Sequence, residues 1–161
     1  MSGRPLLIGS ANKDKAAELQ ELLQGLPWDV KSLADFPPMP APVEDGDSFE
    51  ENAIKKARYY SEQTGMPCIA DDSGLEVTAL GGAPGIYSAR FAGEGCSYAE
   101  HNAKLLRALD GLPDEQRTAQ FTCCAVLLEP SGHCHIEVGV MTGRIATTPR
   151  GSMAVSYTHL R

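Results

Sequence analysis

Within its first thirty-three residues the chain changes hydrophobic period twice, and that alternation limits the folds open to it. Leu6-Leu7-Ile8-Gly9 is a continuous apolar run, the pattern of a short buried strand. Asn12 to Gln24 then repeats at helical spacing, with Ala16, Leu19, Leu22 and Leu23 on one face, and Gly25-Leu26-Pro27 stops it. Trp28 to Leu33 returns to strand character. A strand, a helix and a strand in that order ask for a sheet with helices packed on it.

The rest of the chain extends the pattern. Phe36 to Pro42 is proline-rich and reads as a surface loop. Ser48-Phe49-Glu50-Glu51 has capping-box spacing and opens a helix to about Thr64, closed by Gly65 and Pro67. Cys68 to Ala70 reads as a strand, and Leu75 to Leu80 continues the sheet beyond a turn-like Asp71-Asp72-Ser73-Gly74. Gly81-Gly82-Ala83-Pro84-Gly85 is a rigid loop, and Ser97-Tyr98-Ala99-Glu100 caps a helix to about Leu109. Ala119 to Glu129 and His133 to Met141 form a hairpin around Pro130-Ser131-Gly132. The sum is an α/β domain with a mixed sheet, with no repeat and no linker to split it.

A formal charge of −7 argues against a broad electrostatic hold on nucleic acid or an anionic membrane. The apolar runs are too short to span a bilayer, and the N-terminus lacks signal-peptide character. Cysteines 68, 96, 123, 124 and 134 are odd in number and form no C-x-x-C pair, which fits a reducing cytoplasm better than a disulfide framework. His133-Cys134-His135 alternates faces along a strand, so the three cannot converge on one zinc ion.

Chemistry concentrates elsewhere. Ser10-Ala11-Asn12-Lys13-Asp14-Lys15 sits where the first strand turns into the first helix, a place whose backbone N–H groups and dipole suit an anion. Asn52 and Lys56, four residues apart, project together from one edge of the second helix, whose buried stripe is Phe49, Ala53, Ala57 and Tyr60. Lys55 falls opposite Glu51 as a solvated partner. Glu44, Asp71 and Asp72 supply carboxylates, and adjacent aspartates need a cation, a lysine or a raised pKa to coexist. Each feature alone can be a solvated charge or a plain cap. Together, two lysines, an anion-binding turn and three carboxylates match Mg²⁺-assisted chemistry on a small phosphorylated molecule.

These motifs resemble a known family. Ser10-x-Asn12-x-x-Lys15, Glu44-x-Gly46-x-Ser48-Phe49-x-x-Asn52-Ala53-x-x-Lys56-Ala57, Ile69-Ala70-Asp71-Asp72-Ser73-Gly74 and Gly81-Gly82-Ala83-Pro84-Gly85-Ile86-Tyr87-Ser88-Ala89-Arg90 are similar, in order, to the inosine triphosphate pyrophosphatase family, also called XTP/dITP diphosphatases. The resemblance implies a two-lobed α/β fold with a long mixed sheet flanked by helices and the active site in the central cleft. It implies a homodimeric cytoplasmic enzyme that uses Mg²⁺ to hydrolyse ITP, dITP and XTP to the monophosphate and pyrophosphate. Carried over by position, Ser10, Ala11, Asn12, Lys13, Asp14 and Lys15 would hold the triphosphate, Lys56 would neutralise it and Ser73 would contact substrate. Glu44 and Asp72 would hold Mg²⁺ with Asp71 supporting the metal shell, and Asp72 would be the catalytic base.

The resemblance runs from about residue 6 to Gly151, within one domain of residues 1–151 that is incomplete at its C-terminus. Beyond Gly151 the family continues with a Gly-Phe-Gly-Tyr-Asp-Pro segment, a lysine-bearing helix and a Ser-His-Arg motif that build the purine pocket. Residues 152–161 match none of these, so this tail is expected to be foreign sequence in a truncated or chimeric frame. Thr158-His159-Leu160-Arg161 does not stand in for the base-reading motif. A site without its base clamp would hold phosphate without positioning the α-phosphorus, which makes a nucleotide-binding remnant with little turnover the alternative function.

Overall fold

Residues 3–149 are described by the structure, a computed structural model. Five strands, β1 (Arg4–Ile8), β2 (Trp28–Ser32), β3 (Cys68–Val77), β4 (Thr118–Leu128) and β5 (Cys134–Arg144), form one sheet in the order β2-β1-β3-β4-β5. The helices are α1 (Lys13–Leu22), α2 (Phe49–Thr64) and α3 (Tyr98–Ala108). β1 runs parallel to both neighbours, with Leu6 opposite Val30 and Leu7 opposite Cys68. A connection as short as that between β4 and β5 makes them an antiparallel hairpin, so the sheet is mixed, as the alternation of periods requires. Among the described residues no helix is long and apolar enough to cross a membrane.

The chain divides into two compact units. One comprises the residues up to Asp72 together with Cys124–Val138, the other Ser73–Cys123 with the residues from Gly139 onward. In the first, Ala53 and Ala57 of α2 pack against Ala70, Cys124, Val126 and Leu128, while Leu7, Tyr60 and Cys68 form a second cluster. The alanines leave no bulk between helix and sheet, so α2 lies close to β3. In the second unit, Leu75, Val77, Leu105, Leu109, Ala119 and Ile145 form the core. There the buried Arg117 donates to the carbonyls of Leu109, Ile145 and Ala146 at 2.7, 2.8 and 3.1 Å.

Five local expectations change. Asp71 to Gly74 is no turn: β3 runs unbroken from Cys68 to Val77, because the sheet ladder overrides turn-forming composition. No residue of α1 is buried, and Leu22 is 76 % exposed while Ala16, Leu19 and Leu23 are half-buried. Periodicity names a face without saying how deeply it is covered. Ser48 caps α2 by accepting from Glu51 N, but the Glu51 carboxylate takes the N–H of Asp47 rather than that of Ser48. Lys55 pairs with Asp45 instead of Glu51, since the preceding loop folds back along the helix. β3 stops at Val77, and Thr78–Leu80, expected to continue the strand, is a 3-10 turn closed by Gly81 in left-handed conformation. The remaining elements lie within a few residues of where the sequence places them, including the Ser97–Glu100 capping box and Gly65 in left-handed conformation after α2. The expected foreign tail, residues 152–161, lies outside the described residues.

Candidate active site

The first unit gathers the charged residues around β3. Asn12 caps α1, its Oδ1 accepting from Asp14 N and Lys15 N at 3.0 and 3.2 Å. Ser10 Oγ closes the same turn by accepting from Asn12 N at 3.3 Å. The turn is therefore built, and its side chains satisfy part of the helix terminus. Ala11, Lys13 and Asp14 are exposed. Lys15, one turn into the helix, reaches across to β3 and donates to Asp71 Oδ2 at 2.8 Å.

α2 supplies the second cation. Lys56 Nζ lies 2.7 Å from Glu44 Oε1 and donates to the Asp71 carbonyl at 2.9 Å. Burial works against its charge, but the carboxylates of Glu44, Asp72 and Asp71 outweigh it and carry the Lys56 pKa above its ordinary value. This lysine stays an ammonium.

Asp72 is the unusual member. Its Oδ2 is buried with no hydrogen-bond partner. Burial pushes its carboxyl up to about 6, with Glu44 adding to the rise and Lys56, an Asn52 hydrogen bond and Lys15 opposing it. Successive side chains on a strand leave in different directions, so the two aspartates escape direct repulsion. Asp71 meets Lys15 of α1, and Asp72 meets Asn52 of α2. Three carboxyls face two ammoniums, which leaves one excess negative charge when all are ionised.

Asn52 is the residue whose role the sequence left open. It is 2 % exposed, its Oδ1 accepts from Gly46 N at 2.7 Å, and its amide donates to Asp72. Its helical spacing to Lys56 was the available signal. Ser73, the next residue on β3, is half-buried and opens the second unit.

The donor set is oxygen only, which suits a hard cation better than zinc. Among the described residues no three His, Cys, Asp or Glu side chains gather into a ready-made ion cage. The lysine partners of Glu44 and Asp71 account for that, and the orphaned Asp72 Oδ2 is the atom that a cation would satisfy. The site fits a divalent ion that arrives with its own additional ligands, as Mg²⁺ does with phosphate oxygens.

A mixed sheet whose third strand carries paired carboxylates against lysines from two helices defines an α/β protein equipped for a polyanion and a hard cation. The sequence model of the Ham1 family matches residues 6–160, and the chain belongs to that family. It is 47 % identical over 152 residues to a dITP/XTP pyrophosphatase of Geobacter sulfurreducens, covering 94 % of this chain and 76 % of that protein. A Vibrio cholerae protein of the same name is 43 % identical over 159 residues, with 96 % and 78 % covered. Among solved structures, a HAM1 protein from Coxiella burnetii superposes with a TM-score of 0.87 at 40 % identity, covering 98 % of this chain and 80 % of that one. The Staphylococcus aureus Ham1 protein gives 0.84 at 34 % identity, with the same coverage.

Proposed function

We propose that this chain hydrolyses deaminated purine nucleoside triphosphates, namely ITP, dITP and XTP, to the monophosphate and pyrophosphate in a Mg²⁺-dependent reaction. The observation that carries the reading is the buried, unpartnered Asp72 Oδ2 beside Lys56 and Glu44, a carboxylate placed to accept a proton and short of a cation. The names of the relatives supply the substrate class.

In this reading Ser10 to Lys15 and Lys56 hold the triphosphate. Lys15 and Lys56 exchange or share their carboxylate and carbonyl partners for phosphate oxygens, which cost an ammonium little because it carries three donors. Asp72 orients a water and takes its proton as the water oxygen bonds to the α-phosphorus, the bond between that phosphorus and the bridging oxygen breaks, and pyrophosphate leaves. Ser73 contacts substrate. Glu44 and Asp72, supported by Asp71, would hold Mg²⁺, which supplies neutralisation of the charge developing on the phosphates.

A second copy of the chain is the partner we assign, supported by the exposed Val138, Val140 and Met141 of the edge strand β5. Five cysteines outside any disulfide and the charge of −7 support a cytoplasmic setting without nucleic acid as ligand. The test is pyrophosphate release from ITP, XTP and ATP with Mg²⁺ and with EDTA. The reading expects release from ITP and XTP, lost in EDTA and restored by Mg²⁺; release from ATP at an equal rate, or undiminished release in EDTA, overturns it.

A further inference from the structure

Two contacts of Asn52 tie separate stretches of chain to one side chain. Its Oδ1 receives the Gly46 N–H at 2.7 Å in a buried hydrogen bond, which fixes the amide orientation and leaves only Nδ2 to donate. The amide lies against Asp72 and holds its pKa down, while Oδ2 of Asp72 has no partner. The approach to Gly46 is close enough to require glycine: a Cβ there would lie 2.7 Å from Asn52 Oδ1 and 2.8 Å from Glu51 Cβ. Gly46 is two residues beyond Glu44. Asn52 therefore anchors the loop bearing one carboxylate while meeting the other, and the buried Oδ2 of Asp72 is left without a partner.

We propose that Asn52 is a positioning residue: it sets the spacing between Glu44 and Asp72 and turns Oδ2 of Asp72 toward the cation. The inference rests on the function proposed above and adds a residue to it. Lys56, one turn further along α2, keeps its bond to the Asp71 carbonyl without Asn52, so phosphate binding should depend on Asn52 less than cation binding does.

The experiment compares the parent chain with Asn52→Leu, which preserves volume and removes both hydrogen bonds. Free Mn²⁺ is titrated by electron paramagnetic resonance, and inorganic triphosphate binding without metal is measured by calorimetry. Loss of a residue that orients metal ligands should raise the Mn²⁺ half-saturation by about tenfold or more, with triphosphate affinity within about twofold of the parent. Mn²⁺ affinity within twofold of the parent, whatever the change in melting temperature, overturns the proposal. Should Asn52→Leu not fold, nitrogen-edited spectra of the parent decide. The Asn52 side-chain amide and the Gly46 N–H should shift together as Mg²⁺ is added, and resonances that stay in place overturn the proposal. A parent that binds Mn²⁺ through Asn52 yet releases no pyrophosphate from ITP would sink the proposed function and leave this inference standing. An active parent with an indifferent Asn52→Leu variant would do the reverse.

Discussion

Lys15 Nζ and Asp71 Oδ2 lie 2.8 Å apart, joining residues fifty-six positions distant in the chain. The side chains are 23 % and 10 % exposed, so the pair is shielded enough to matter and open enough to rearrange. A phosphate-binding lysine held this way is pre-extended toward β3, and its long side chain loses less freedom when the ligand arrives.

Lys15→Ala and Lys56→Ala should each weaken ITP binding by about tenfold or more, the scale of a charge-assisted contact of roughly 1.5–3 kcal/mol. Binding of free inosine should be nearly unchanged. Calorimetry with both ligands checks this, and equal losses for nucleotide and nucleoside would reduce both lysines to structural roles.

Asp72→Asn should lower kcat for ITP by about 10²- to 10⁴-fold, as for a lost general base. The change is close to isosteric, so circular dichroism should match the parent. Full turnover with ITP and Mg²⁺ would remove Asp72 from the mechanism.

The same substitution should stabilise the protein at neutral pH. Burial raises the Asp72 pKa from an ordinary 3.8 to about 6, so the folded state takes up this proton more readily than the unfolded state. Its contribution to stability is fully present below about pH 4 and is lost as pH rises through about 6. The rise corresponds to at most about 3 kcal/mol, which solvent screening of a part-exposed carboxylate brings to about 1–2 kcal/mol. Asp72→Asn escapes the loss. In EDTA it should melt above the parent at pH 7–8 and level with it near pH 4. A melting difference that does not vary with pH would show that Asp72 does not carry this strain.

Arg117→Met should be costly, because it strips three buried carbonyls of their donor; a loss of about 3 kcal/mol is expected. Arg144→Ala, which breaks an ion pair whose side chains are 47 % and 40 % exposed, should lose less than about 1 kcal/mol. Denaturant titration of both variants decides. Similar small losses would mean that the Arg117 contacts add no more than a surface pair.

By itself the sequence determined the element order, most boundaries and the charged side chains that the structure gathers around β3. Helical period, capping serines and Gly65 act through neighbours within one or two turns, so they are legible without knowing the rest of the chain. The resemblance to pyrophosphatases is legible for a similar reason, since its motifs are contiguous runs. Only the tertiary structure decided that Asp71 to Gly74 continues a strand, because pairing in a sheet outweighs local turn preference. It also decided the partners: Lys15 to Asp71 and Lys56 to Glu44 join residues brought together by packing on β3, while Asn52 links Gly46 to Asp72. The raised pKa of Asp72 belongs to the same category. Charge on a side chain is written in the sequence, but the desolvation that tunes it arises only when Ala53 and Ala57 bring α2 against the sheet.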